Sequence, residues 1–359
     1  MSVFWGDFAF YAGCLLLPTT RYYGLGRLGR RLATRETVLR CTAHAETERL
    51  TVHVPRHQWQ DQRWHTSEGK LMRRRQFVQV ATGAVAGALL PTTASTPAAE
   101  ADSAPFGDFK VGVQSYCFHR FKLVEALRHI QAMAVKHVEL YPGHAPLESS
   151  DQEARSLRSL CLDHGVTPLA LGVVRFTKDH GKNRQAFDHA QRMGIKVLSA
   201  DPTTDSFDSL DRLVEEYGVA IAIHPHGPTG GGKLHLWHRA EIILEAVEDH
   251  HPLVGTCLDT GHLIRCGLEP HNLYLDPIQQ IRVMGSRNYG IHLKDNDNKI
   301  NRNVIVGRGA LDVPGVFKTL HDIKFDGCIS IEHEANPDDP VPDIQACIEV
   351  IQEVVRTIG

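Results

Sequence analysis

Val254-Gly255-Thr256-Cys257-Leu258-Asp259-Thr260-Gly261-His262 decides how this chain folds. An apolar run ends in a carboxylate, a small turn and a histidine. A carboxylate at the end of a buried strand loses its hydration and needs a partner to offset that loss; a metal ion is one. The same grammar recurs on either side. Ala220-Ile221-Ala222-Ile223-His224-Pro225-His226 precedes it, and Tyr289-Gly290-Ile291-His292-Leu293-Lys294 and Ile329-Ser330-Ile331-Glu332-His333-Glu334 follow. The candidate ligands His224, Asp259, His292 and Glu332 are separated by 35, 33 and 40 residues. Each interval holds about one strand, one helix and two loops, the repeat of a parallel barrel whose functional groups sit at the C-terminal strand ends.

Working outward, short β-rich runs alternate with amphipathic stretches from Phe109 to the C-terminus. Strands are expected at Phe109–Ser115, Val138–Tyr141, Thr167–Val173, Lys196–Ala200, Val219–His224, Val254–Asp259, Tyr289–Leu293 and Cys328–Glu332. The intervening helices are Leu123–Met133, Glu153–His164, Gln185–Met193, Phe207–Tyr217, Leu236–Val247, Pro277–Met284 and Val313–Leu320, with Ile344–Ile358 closing the chain. Eight such units over about 250 residues give an α/β fold, a single-domain (β/α)8 TIM barrel over 105–359. A doubly wound open sheet would want a GxGxxG turn after the first strand, and none is there.

Of the 359 residues, 42% are hydrophobic and 23% charged, an ordinary globular composition. The net charge of -3 conceals an asymmetry: 1–75 carries 13 Lys+Arg against 6 Asp+Glu, whereas 102–359 carries 26 against 35. An acidic body argues against a nucleic-acid partner. Residues 1–71 lack periodicity and are expected to be unstructured or an extension from a start codon chosen too far upstream. Met72-Arg73-Arg74-Arg75-Gln76-Phe77-Val78, the small apolar Ala81–Leu90 and a cleavage site at Ala99-Glu100-Ala101 then compose an export signal and linker over 72–104. It resembles a twin-arginine leader and implies a periplasmic location, or a cytoplasmic one if the leader does not function. The apolar run is too short for a stable membrane span. Six cysteines follow the leader without a CxxC pair, and most stand in apolar runs, so buried free thiols are expected.

Residues i and i+2 of a strand share a face. His224 and His226 therefore pair if the strand persists through Pro225, as do His292 and Lys294, and Glu332 and Glu334. The expected metal shell is His224 or His226 with Asp259, His292 and Glu332. Imidazole mixed with carboxylate suits one divalent ion, Mn2+, Zn2+, Co2+ or Fe2+ rather than Ca2+, with Mg2+ less suited. Glu139, in His137-Val138-Glu139-Leu140-Tyr141, and His262 are candidate substrate contacts. Lys294-Asp295 reads as a catalytic pair or a loop ion pair, and Gly307-Arg308-Gly309-Ala310-Leu311-Asp312 as a flexible rim whose Asp312 caps the next helix.

The body, 109–358, resembles the xylose-isomerase-like TIM-barrel superfamily of sugar isomerases and epimerases, which includes ketose 3-epimerases and inosose dehydratases. The motifs that carry the resemblance are Val138-Glu139-Leu140, Leu258-Asp259-Thr260-Gly261-His262, Ile291-His292-Leu293-Lys294-Asp295, Gly307-Arg308-Gly309 and Ile331-Glu332. It implies a divalent metal on Asp259, His292 and Glu332, and a fourth ligand from strand five, where this chain has His224 and His226 in place of glutamate. It implies a small sugar or polyol-derived ketone as substrate. A homo-oligomer is compatible with it.

A cation on a carbonyl oxygen favours loss of a neighbouring proton to give an enediolate. Glu332 is the candidate base, with His226 or Lys294 relaying the proton. The reading is a metal-dependent isomerase or epimerase. The alternatives are a dehydratase or lyase of inosose type, and a noncatalytic sugar-binding barrel. A multi-zinc phosphodiesterase would need a basic groove that the acidic body does not offer.

Overall fold

The computed structural model of the chain describes residues 105–229 and 232–358. The leader, its cleavage site and the 1–71 extension lie outside the described residues. Among the described residues, ten strands and nine α-helices follow one another: β1 Lys110–Gln114, α1 Leu123–Ala132, β2 His137–Leu140, α2 Asp151–Asp163, β3 Thr167–Phe176, α3 His180–Met193, β4 Val197–Pro202, α4 Phe207–Tyr217, β5 Ala220–Ile223, α5 Ala240–Val247, β6 Val254–Asp259, α6 Thr260–Arg265, α7 Pro277–Met284, β7 Asn288–Leu293, β8 Asp295–Asp297, β9 Arg302–Val304, α8 Val313–Asp322, β10 Cys328–Ile331 and α9 Val341–Ile358. Eight strands close into one parallel barrel in the order β1-β10-β7-β6-β5-β4-β3-β2. The fold is the expected TIM barrel. No described helix is long and apolar enough to cross a membrane.

The helices form where apolar residues recur at helical spacing and bury one stripe against the sheet. In α4, Phe207, Leu210, Leu213 and Val214 are buried. Caps set the ends: Ser150 and Glu153 close a capping box on α2, and Asp179 starts α3 earlier than periodicity alone suggests. The six described cysteines are free and buried.

Register delivers the site. Asp259 of β6 pairs with His292 of β7, and His292 with Ser330 of β10, so these residues stand at one level of the barrel. Beyond β10, the Glu332 N–H donates to Leu293 O at 3.2 Å and keeps Glu332 in line. On the other side the His224 N–H donates to Ala200 O at 2.8 Å, immediately past β5.

Two elements between the barrel strands are additions to the expected repeat. Helix α6 grows directly from β6, because Asp259 Oδ1 accepts the His262 N–H at 2.7 Å and caps it. The antiparallel β8–β9 hairpin follows β7. The glycine-rich rim is not the flexible loop that its composition suggests. Asp295 is fully buried, and its carboxylate accepts N–H groups from Asn296, Gly307, Gly309, Ala310 and Leu311 at 2.8–3.0 Å. A Cβ on Gly309 would meet that carboxylate and come within 2.6 Å of Asn296 O, so only glycine fits the cradle. Asp295 is therefore an anchor for the rim, neither catalytic nor part of an ion pair with Lys294. Asp295→Ala leaves these donors buried without an acceptor, at about 1–3 kcal/mol for each that water cannot reach. The expected result is a fall in denaturant midpoint equivalent to about 3 kcal/mol or more; an unchanged midpoint would show the rim to be held by other contacts. Asp312 caps α8 as expected, its Oδ1 accepting the Gly315 N–H at 3.0 Å.

Candidate metal and substrate site

Four donors from four successive barrel units meet at the C-terminal mouth. His224, Asp259, His292 and Glu332 each offer an atom within 4.8 Å of the others, and all four residues are buried. His224 Nε2 and His292 Nδ1 lie 2.9 Å apart, His292 Nδ1 is 3.1 Å from Glu332 Oε2, and His224 Nε2 is 3.5 Å from Asp259 Oδ2. Two ring nitrogens so close repel through their lone pairs unless a proton or a cation lies between them. Asp259 Oδ2 is fully buried and makes no aligned hydrogen bond; the Lys294 ammonium at 3.2 Å offsets its charge, and the oxygen keeps acceptor capacity for a cation. Two imidazoles and two carboxylates are a donor set that fits a borderline divalent ion.

The Asp-Thr-Gly-His turn now has a reason for each residue. Thr260 Oγ1 donates to Lys294 O at 2.6 Å and accepts the Lys294 N–H at 3.0 Å, tying the two strand ends together. A side chain on Gly261 would meet Lys294 Cγ at 2.6 Å, so the lysine stem occupies the space that glycine leaves. Lys294 Nζ reaches Asp259 Oδ2 at 3.2 Å, Glu332 Oε2 at 2.8 Å and Glu334 Oε1 at 2.6 Å.

Charge states follow from these contacts. Burial disfavours the Lys294 ammonium, but Asp259, Glu332 and Glu334 outweigh it and hold its pKa well above the ordinary value. Burial likewise works against the Glu332 carboxylate, yet Lys294 and His292 bring it down to about 2. Asp259 is shifted well below the usual range in spite of burial, chiefly by Lys294 and then by His262. His292 ends well above its ordinary value: burial opposes the charge, and Cys257, Glu139 and Glu332 override it. Burial pushes His226 down to about 2 and His262 down to about 3. Both rings are neutral near pH 7.

A cavity of about 330 Å³ opens over this cluster, walled by Tyr116, Tyr141, His226, His262 and Glu334, with His224 and Glu332 at its base. That volume suits a small molecule. A larger cavity of about 810 Å³ lies at the opposite end of the barrel, between Phe109, Leu320, Phe325 and Val355. It holds none of the four donors, and TIM-barrel chemistry belongs at the C-terminal face.

Of the residues expected to matter, His224, His226, Asp259, His262, His292, Lys294 and Glu332 are brought together, with three qualifications. Between the two histidines of strand five, it is His224 that joins the four-donor cluster. His226 stands on the cavity wall, its ring centroid 4.7 Å from that of His224 and 5.1 Å from that of His262. Lys294 sits behind the wall, screened by Glu332 and Glu334 and absent from the cavity lining. Its contacts fix carboxylates, and as a firmly held ammonium it is a poor proton shuttle; His226, pushed so low, is a weak base. Glu139 does not look into the mouth at all. It is 1% exposed, turned into the barrel interior, where Oε1 and Oε2 each accept a serine hydroxyl at 2.6 Å, from Ser199 and Ser330. A contact between Glu139 and substrate is thereby corrected: its carboxylate is buried, taken up by the two serines and absent from the cavity lining. Gln114 and Glu334 line the cavity without having been singled out as site residues. The two-residue step from Glu332 to Glu334 already placed the second glutamate on the same face; Gln114 carries no signal in the sequence.

The sequence profile of the xylose isomerase-like TIM barrel family matches residues 127–354. The chain belongs to that family. Among curated relatives, an inosose dehydratase of Bacillus cereus is 29% identical over 154 residues, 38% of this chain and 48% of that protein. One from Clostridium beijerinckii is 27% identical over 150 residues, 37% of this chain and 46% of that protein. The chain thus spans about half the length of the curated relatives it matches. Among solved structures, an uncharacterised protein of Parabacteroides distasonis is 27% identical with a TM-score of 0.53, covering 69% of this chain and 99% of that one. A D-psicose 3-epimerase of Clostridium cellulolyticum, at 15% identity, has a TM-score of 0.53 over 69% of this chain and 99% of its own, a likeness of fold.

Proposed function

We propose that this family member is a divalent-metal-dependent isomerase or epimerase of a keto-sugar or polyol-derived ketone. The observation that carries the reading is the convergence of His224, Asp259, His292 and Glu332 within 4.8 Å beneath a sugar-sized cavity. A divalent ion held by these four residues would supply Lewis-acid stabilisation of negative charge on a substrate oxygen.

The chain's own groups do the rest. Glu332, ionised and at the base of the cavity, takes a proton from the carbon beside the substrate carbonyl, and the substrate becomes an enediolate. Lys294, 2.8 Å from Glu332 Oε2, steadies that carboxylate and holds it in place. The neutral rings of His226 and His262 offer one donor and one acceptor each to substrate hydroxyls, and Glu334 accepts from another. General-base chemistry of this kind supplies about 10²–10⁴ in rate. Returning the proton to carbon completes isomerisation or epimerisation; losing a neighbouring hydroxide completes a dehydration. The matches to proteins named inosose dehydratases support that second outcome from the same intermediate.

Incubation with a panel of keto-sugars and inososes in D2O tests the reading, because the proton-abstraction step is common to both outcomes. Deuterium is expected at the carbon beside the carbonyl of at least one substrate, in the presence of a divalent ion and not after chelation. If metal-loaded protein exchanged no proton in any of them, the enediolate chemistry would be wrong. Full metal occupancy without exchange or turnover would instead favour a binding protein.

A further inference from the structure

Beneath the four donors the barrel interior carries a polar layer that a hydrophobic barrel has no need of. Glu139 of β2 extends across the lumen, and its Oε2 lies 2.9 Å from His292 Nε2, the ring nitrogen that faces away from Glu332 and His224. Strand β2 is not a neighbour of β7 in the barrel, so the contact spans the interior rather than following a hydrogen-bonded ladder. Ser199 of β4 and Ser330 of β10 each donate a hydroxyl to the carboxylate at 2.6 Å. Ser330 is the register partner of His292 itself. Every one of these residues is at most 1% exposed. The approach to Nε2 lies off the direction of the ring N–H, and Nε2 makes no aligned hydrogen bond.

Burying a carboxylate in this way is costly unless it is paired and hydrogen-bonded, and serines at two interior positions where alanine or valine would pack have no other visible use. A carboxylate at Nε2 fixes which ring nitrogen keeps its hydrogen and which presents a lone pair. The nitrogen left to the site is Nδ1. We infer that Glu139, cradled by Ser199 and Ser330, is a positioning residue that orients the His292 ring and commits Nδ1 to the divalent ion. The inference rests on the metal reading above and adds to it a group that touches neither substrate nor ion. Cys257 brings a third donor atom within 4.8 Å of Glu139 and His292; a second ion held there would appear in the stoichiometry measured below.

The test is Zn2+ affinity of the full chain, with Zn2+ alone competing against a chromophoric chelator, for wild type, Glu139→Gln, His292→Ala and the double variant. Wild type is expected to bind one Zn2+ per chain, and Glu139→Gln to weaken it by about 10–100-fold. In the His292→Ala background the same change should make less than about a 2-fold difference, since Glu139 then has no ring to orient. A general loosening of the fold would weaken Zn2+ equally in both backgrounds, and that result overturns the inference. So does unchanged affinity in Glu139→Gln, or a stoichiometry of two Zn2+ that falls to one, which would make Glu139 a ligand. If Glu139→Gln does not fold, Glu139→Asp, one methylene short of the ring, replaces it in the cycle with the same expectations. Wild type that binds no divalent ion removes the metal reading and this inference together, a result separate from the others.

Discussion

His292→Ala is expected to weaken divalent-ion binding by about 100-fold or more, to an affinity that Zn2+ competition still measures, and to lower turnover by about 10³-fold or more. The ring stands at the centre of the cluster: it is 2.9 Å from His224, 3.1 Å from Glu332 and 2.9 Å from Glu139. Removing it takes away one of four donors and leaves Glu139 with no cation beside it. Lewis-acid stabilisation is worth several kcal/mol of transition-state energy, and each 1.36 kcal/mol is tenfold in rate. Equilibrium dialysis followed by metal analysis reads the first effect, and deuterium exchange from D2O the second. A variant that retained both at wild-type level would place the chemistry elsewhere.

The second large effect is expected for Lys294→Met. Three carboxylates, Asp259, Glu332 and Glu334, converge on one ammonium that is 95% shielded from solvent. Removing one partner of a buried ion cluster leaves uncompensated charge and costs about 3–5 kcal/mol. For a domain of this size that corresponds to a fall of about 10 °C in Tm. A divalent ion binding the same carboxylates favours the native state by mass action, so saturating metal is expected to recover much of the loss, and more than it adds to wild type. Thermal unfolding with chelator and with metal, on both proteins, measures this. Equal metal-dependent shifts in the two would show that Lys294 and the ion do not share their carboxylates.

Much of this was legible because each barrel strand ends in the residue that matters. An apolar run closed by Asp259, His292 or Glu332 is a signal that survives without neighbours, and the regular spacing adds the topology. What was hidden depends on relations across the lumen. Glu139 reads as a mouth residue because it stands near the C-terminal end of β2, but its side chain takes the inward side of the pleat and meets β7, a strand that no local pattern pairs with it. Asp295 is masked by the adjoining lysine; only the folded rim shows that its carboxylate collects backbone N–H groups from 307–311. Helix α6 is six residues long, too short for periodicity to show. The choice between His224 and His226 turned on Pro225: β5 ends at Ile223, so the two-residue alternation of a strand does not carry through to decide it.

The metal donors and the cavity wall have different mechanical origins. His224, Asp259, His292 and Glu332 stand at or just past the ends of hydrogen-bonded strands, whereas Tyr116, His226 and His262 belong to the segments that follow them. Loops of the upper chamber can therefore be exchanged while the four donors beneath keep their spacing. Grafting the segment after β1 or β2 from another family member should alter which compound is accepted and leave the ion's dissociation constant where it was.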